Sequence, residues 1–250
     1  MLESKHNSHF TMEEISMIRT IVTAMFVLCL VSCITAPTPN PIFVDKIDTQ
    51  FNAAKSQNFR AAGKFKRPIP YEVGQYVIAG MTSPTERSIM KMAIVGKEQN
   101  GWIIETHSLT QSAESITQML VVGMETVNKT GKLDDLDIIW VKVKPDGQNV
   151  QTIEGPMLSM TKGLYKKALS GLECQNQEAI DGGTVKVPAG TFAGTSKMHS
   201  EVSFMGNTYL SDSWLHPSVP INAMVKSVSN EGETVIELLD FGLTGAKRSF

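Results

Sequence analysis

The sequence predicts a mainly β protein with one or two helices, built on a curved antiparallel sheet. Three observations predict it: ten short runs rich in β-branched and aromatic residues, turn residues between most of them, and only two stretches with helical periodicity. The runs are 75–81, 88–95, 101–106, 118–122, 137–144, 184–187, 192–204, 208–215, 224–229 and 234–239. Ten strands against two helices imply one large antiparallel sheet, and a curved sheet buries its apolar face when so few helices are on hand to cover it.

The chain opens with a segment that is not part of that fold. From Met17, Arg19 is followed by an apolar stretch over 21–31, broken only by Thr23, and then by Ser32 and Cys33. This is the order of a signal peptide: a positive residue, an apolar run, a cleavage site. The run is shorter than the roughly 18–20 residues that cross a bilayer as a helix, so it does not read as a permanent span. Glu3, Glu13 and Glu14 carry the wrong charge for the start of such a signal, which places the translation start at Met17 and removes His6 and His9 from any metal-site argument.

Thr35-Ala36-Pro37-Thr38-Pro39-Asn40-Pro41 is an uncharged, proline-rich spacer. The expected organisation is therefore an amino-terminal extension and signal peptide at 1–32, a cysteine and proline-rich linker at 33–42, and one β-rich domain at 43–250.

Within the domain, 43–59 places Phe43, Val44, Ile47, Phe51 and Ala54 on one side, with Asp45, Lys46, Asp48 and Lys55 between them, the pattern of an amphipathic helix. A second helix is predicted over 157–172, where Met157, Met160, Leu164 and Ala168 recur at three- and four-residue steps and Gly171 supplies a stop. Gln99-Asn100-Gly101, Pro145-Asp146-Gly147, Met205-Gly206-Asn207 and Glu231-Gly232 put glycine or asparagine where hairpins need positive φ. In 137–144 the alternation sends Ile139, Val141 and Val143 to one face and Trp140, Lys142 and Lys144 to the other.

Two resemblances carry the functional expectations. Leu30-Val31-Ser32-Cys33 resembles the bacterial lipobox, which implies a lipoprotein whose cysteine receives a diacylglycerol before the signal is cut. Several acyl chains hold a protein durably on a bilayer, because each buried methylene contributes about 0.8 kcal/mol. Val187-Pro188-Ala189-Gly190-Thr191-Phe192, followed by Trp214, Val219-Pro220 and Met224-Val225-Lys226, resembles envelope proteins of the LolA and LolB-like half-barrel group. That resemblance implies an unclosed antiparallel β-barrel with helices plugging a concave face that holds acyl chains.

Composition and motifs narrow the chemistry. With 23 basic and 25 acidic residues spread along the chain, a net charge of −2 and no basic run, nucleic acid is not expected as a partner. Cys29, Cys33 and Cys174 show no C-x-x-C spacing, and Cys174 reads as a small buried apolar residue. His107, His199 and His216 belong to no metal-binding spacing, so neither metal nor cofactor is expected, and His216 beside Pro217 reads as a turn residue. Ser159-Met160-Thr161-Lys162 and Lys129-Thr130-Gly131 match two motifs of penicillin-recognising enzymes, but in the wrong order, with Ser211-Asp212-Ser213 in place of the third. The chain is read as non-enzymatic.

Trp102, Trp140 and Trp214 lie on predicted strands and are the candidates to line a hydrophobic cavity, and the 14 methionines suit a surface that adapts to acyl chains. The expected function is a lipid-anchored envelope lipoprotein that binds a lipid or other hydrophobic ligand in the half-barrel. The alternative is a structural or assembly lipoprotein that binds a protein partner through its sheet surface. Ile34 after the cysteine, rather than aspartate, points to the outer membrane facing the periplasm.

Overall fold

The computed structural model describes residues 38–54, 59–62, 69–130, 132–169, 180–204, 207–229 and 232–250. Pro39–Phe250 forms one compact unit. All ten predicted strands are present, and their alternation and turn residues place them well: β2 (Tyr76–Thr82), β3 (Arg87–Glu98), β4 (Gly101–Leu109), β5 (Glu114–Val122), β6 (Asp137–Pro145), β8 (Ile180–Val187), β9 (Gly190–Phe204), β10 (Asn207–Leu215), β11 (Met224–Ser229) and β12 (Thr234–Gly242). Two short strands were not predicted, β1 (Phe59–Ala62) and β7 (Gln151–Ile153), because three or four residues are too few to show an alternation.

The described residues also hold three α-helices, α1 (Pro41–Ala54), α2 (Met124–Thr130) and α3 (Gly155–Ala168). Helix α1 begins where Asn40 caps it, its side-chain oxygen accepting from the Ile42 N–H at 3.0 Å, with Pro41 in the first helical position where its missing N–H costs nothing. The helix thus starts at Pro41, within the 33–42 stretch expected as linker. Phe59, expected at the end of this helix, belongs to β1.

The twelve strands form one sheet in the order β1-β9-β10-β11-β12-β2-β3-β4-β5-β6-β7, with β8 also on β9. Every pairing is antiparallel except β1 with β9. Two meanders meet where β2 pairs β12, with Gly80 opposite Glu237 and Ala79 opposite Leu238.

The sheet is curved and unclosed. Bulges interrupt the register at Ile94/Gly96, Leu120/Val121, Trp214/Leu215 and Leu238/Asp240, and each adds local twist. In a flat sheet, three strand spacings would hold β9 about 14 Å from β12. Instead the Ala189 N–H donates to the Leu238 carbonyl at 3.0 Å, and the Phe192 and Phe241 ring centroids are 6.0 Å apart. The turn Pro188-Ala189, part of the segment that carries the half-barrel resemblance, is thus where one end of the sheet rolls inward.

The inner face carries the main core. Met92, Ile94, Trp102, Ile104, Met119, Val121, Ile138, Val141 and Leu238 are buried there against Met124 and Val127 of α2 and Leu158 of α3. The expectation that the helices all plug this face needs correction, since α1 lies on the opposite one. There Phe43, Ile47, Phe51 and Ala54 form a separate cluster with Ile89, Leu109 and Leu239. The outer face has apolar residues of its own to bury: α1 covers Ile89, Leu109 and Leu239, while Ala93, Val95 and Ile103 pack with Leu120, Tyr76, Trp140 and Ala246. Gly80 makes room for this helix, because a Cβ there would stand 2.7 Å from Cε1 of Phe51.

Two further expectations change. The bulge opposite Leu120/Val121 leaves Ile139 43% exposed, while its neighbour Ile138 joins Val141 inside. In α3 the buried residue is Leu158, whereas Met157 and Met160 of the predicted stripe face solvent.

Candidate functional site

The three tryptophans do not converge. Trp102 is buried on the inner face, where its indole N–H donates to Glu125 Oε1 of α2 at 2.7 Å and its ring meets the edge of Tyr71 at 6.2 Å. The Tyr71 hydroxyl donates to Asn128 Oδ1 at 2.7 Å, and burial pushes its phenol well above the ordinary range. Together they fasten α2 over the core. Trp140 is on the other face with Ile103, Leu120, Tyr76 and Ala246, under the ammonium of Lys142. Trp214 packs at the margin of the main core, 5.1 Å from the ammonium of Lys197. Among the described residues the inner face around Trp102 is filled by Ile94, Ile104, Val121, Ile138 and Val141.

Open space lies instead on the outer face of β4, β5 and β6. The register puts His107, Ile116 and Lys144 in one row across these strands. Beside that row a cleft of about 490 Å³ is lined by His107, Glu114, Ile116 and Lys144 and by the turn after β6, where Gly147 adopts φ 66°. Glu114 is its best-held group. Lys46 of α1 donates to Oε2 at 2.6 Å, and His107 Nε2 lies 2.7 Å from Oε1.

The hydrogen bond from Lys46, helped by His107, holds the Glu114 carboxyl below its ordinary value of 4.5 against the opposing effect of burial. The same bond raises the Lys46 ammonium. A fixed carboxylate, an imidazole, an ammonium and several amides around an open cleft suit a polar ligand rather than an acyl chain.

A carboxyl held low in the fold stabilises it above the unfolded pKa, and that contribution disappears as pH falls through the folded one. Glu114→Gln should therefore lower the urea midpoint at pH 7 and make no difference well below pH 4.5. Because Lys46 is largely exposed, the effect should be small and weaken further in salt. Equal effects at both pH values would mean that the pairing does not form.

Next to the cleft, the C-terminal segment 245–250 crosses the sheet over a buried polar pair. Gln118 Nε2 donates to Glu105 Oε2 at 2.8 Å and to the Phe250 carbonyl at 3.0 Å. Ser249 donates from its amide to Glu105 Oε2 at 2.9 Å and from its hydroxyl to Oε1 at 2.7 Å. Arg248 Nε completes the set by donating to Gln118 Oε1 at 3.1 Å. Sequence reasoning missed this pair, which is buried on the outer face in line with His107 and Ile116; its one visible signal is a Glu and a Gln within otherwise apolar strands.

The remaining candidates are engaged elsewhere. Ser159 donates to the Gly155 carbonyl at 3.2 Å and Lys162 pairs with Asp137 at 2.5 Å. Lys197, and after it His199, contact Asp212 and hold its carboxyl low. His216 is buried in the β10–β11 loop, where its Nδ1 accepts from the Ser218 N–H at 3.2 Å and its ring meets the edge of Phe192. This loop also holds Ile221 and Ala223 at φ 66° and 57°, a left-handed conformation that side chains other than glycine rarely adopt. Among the described residues no three His, Cys, Asp or Glu side chains are placed to hold a metal ion, and no helix is long and apolar enough to cross a membrane. Cys33, the lipobox and Cys174 lie outside the described residues.

No protein-family model matches the sequence, and no curated protein resembles it at a significant level. A solved structure from Bacteroides fragilis NCTC 9343, described as a candidate exported protein with a YmcC-like fold, is similar at 11% identity with a TM-score of 0.34. The alignment covers 72% of this chain and 100% of that one. No residue role passes from it to this chain.

Proposed function

We propose that this chain is a lipid-anchored, non-enzymatic lipoprotein of the cell envelope, held at Cys33 and facing the periplasm from the outer membrane, whose domain binds a polar envelope component or protein partner at its outer sheet face. The observation that carries the anchor is one of order. The apolar run, Leu30-Val31-Ser32-Cys33 and a proline-rich spacer lead directly to the compact unit that begins at Pro39.

Between the two binding readings, the packed inner face and the polar cleft beside Glu114 support surface binding over an internal acyl chain. The internal-ligand reading retains one supporting feature, the soft side chains Met92, Met119 and Met124 in the cluster with Trp102.

Growth with a clickable palmitate analogue, followed by purification and mass spectrometry of both the chain and any extracted lipid, tests the proposal. The expected result is label on the peptide that begins at Cys33 and no stoichiometric second lipid. Absence of label removes the anchor, and a co-purified lipid in equal amount overturns the surface reading in favour of the cavity.

A further inference from the structure

The segment 245–250 lies on the sheet without joining its ladder. Among the described residues its one backbone-to-backbone bond runs from the Ala246 N–H to the Gly74 carbonyl at 2.9 Å. Arg248 and Ser249 are exposed, yet Gln118 beneath them is fully buried and Glu105 is 7% exposed. This strap is held chiefly by side chains of the strands under it.

The sheet supplies only part of what the buried pair needs. Glu105 accepts three hydrogen bonds, one from Gln118 and two from Ser249. Gln118 in turn accepts from Arg248 and donates to the Phe250 carbonyl. A carboxylate and an amide on a covered sheet face are costly without such partners, and apolar residues there would hold a purely structural strap at least as well. The pair has instead the form of a recognition pattern. The carboxylate selects an amide and a hydroxyl on one residue, while the glutamine selects the guanidinium before it and the carbonyl after it.

Two features make the strap exchangeable. Its apolar attachment is small: Ala246 packs against the cluster of Ala93, Val95, Ile103 and Leu120, and the half-buried Phe250 ring has its centroid 5.9 Å from the Lys144 ammonium. Segments with few buried apolar contacts open at far lower free energy than core strands. The pair is also continuous with the open cleft, since His107 and Ile116 lie two residues from Glu105 and Gln118 on the same strands, roughly 7 Å away. Lifting the strap extends that cleft over Glu105 and Gln118.

We propose that Glu105 and Gln118 form a peptide-binding site, which residues 248–250 occupy in cis and from which an extended segment of a protein partner displaces them. The partner segment carries the chemistry of the strap, a basic residue followed by one with a small hydroxyl and then by an aromatic one. This rests on the reading of the outer face as a binding surface and specifies its ligand.

The test uses the chain from residue 33 onward with Cys33→Ala, which retains the whole compact unit Pro39–Phe250. The probe is a fluorescein-labelled synthetic peptide of residues 244–250, followed by anisotropy. Arg248→Ala with Ser249→Pro removes the guanidinium, hydroxyl and amide donors of the strap. It should tighten peptide binding about tenfold or more, because a tethered strap competes at high effective concentration. Adding Glu105→Gln should abolish the gain, because hydrogen bonds to a charged acceptor are the strong ones. In the chain with its strap unaltered, the Ser249 amide should exchange its hydrogen through local opening, far faster than the amides of β4.

Equal binding by the double variant and its parent, or no saturable binding by either, overturns the proposal. So does a double variant that no longer folds, or a Ser249 amide that exchanges only together with β4, since either makes the strap a permanent part of the fold. A parent that dimerises until the double substitution makes it monomeric assigns the site to a second copy of the chain and likewise overturns it. Extracted lipid separates this inference from the reading beneath it: no lipid and no peptide binding removes the peptide site alone, whereas lipid in equal amount removes the surface reading itself.

Discussion

Gly123→Ala is expected to cost about 3 kcal/mol of folding stability, a large part of the 5–15 kcal/mol typical of a domain. Gly123 joins β5 to α2 with φ +86°, a conformation that strains an L side chain by about 1–2 kcal/mol. A Cβ there would also sit far inside van der Waals contact distance of the Asp135 carbonyl oxygen. That obstacle is backbone rather than a movable side chain, which adds an overpacking cost of about 1–3 kcal/mol.

Neither side has room to retreat. Asp135 precedes buried Leu136, and Gly123 precedes buried Met124, while the Gly123 carbonyl accepts from the Thr126 and Val127 amides that start α2. Gly147→Ala is the matched control, with φ +66° and open space around its Cβ position, and should cost about 1 kcal/mol. The difference between the two urea midpoints reads the clash. Equal losses would show that the β5–α2 junction is looser than its geometry implies.

Cys33→Ala is expected to abolish membrane attachment, moving the chain from salt-washed membranes to the soluble fraction. Two or three acyl chains, at about 0.8 kcal/mol per buried methylene, supply nearly all of the binding free energy. The salt wash matters, because it releases ionic adsorption to the bilayer while an acyl anchor stays in place. Retention of the variant after the wash would sink the lipobox reading. The same fractions, run on a density gradient, test the outer-membrane assignment made from Ile34, which recovery with the inner membrane would reverse.

Local chemistry was legible. The turn at Asp146-Gly147 and the alternating runs follow from φ preferences and side-chain periods that a few neighbouring residues decide, although in the β3–β4 turn the positive φ falls on Gln99 rather than on Asn100 or Gly101. Helix α2, with seven residues, and strands β1 and β7 were too short to carry a period.

Which face each residue serves was not legible. Ile139 leaves the core because of a bulge opposite Leu120 and Val121, and a one-residue shift reverses every side chain beyond it. Trp102 and Trp140 look alike in sequence, yet one is fastened under α2 and the other lies on the opposite side. The apolar stripe of α3 reads as the buried side until the helix is seen resting on Leu158.

By itself, then, the sequence determined the ten longer strands and most of their turns, which rest on contacts between near neighbours. The tertiary structure alone decided the roll of the sheet, the helices on both its faces, and the polar cleft beside Lys46 and Glu114. These depend on partners far apart in the chain, as where Tyr76 pairs with Gly242 or Glu105 holds the amide of Ser249, and burial is settled only once such partners meet.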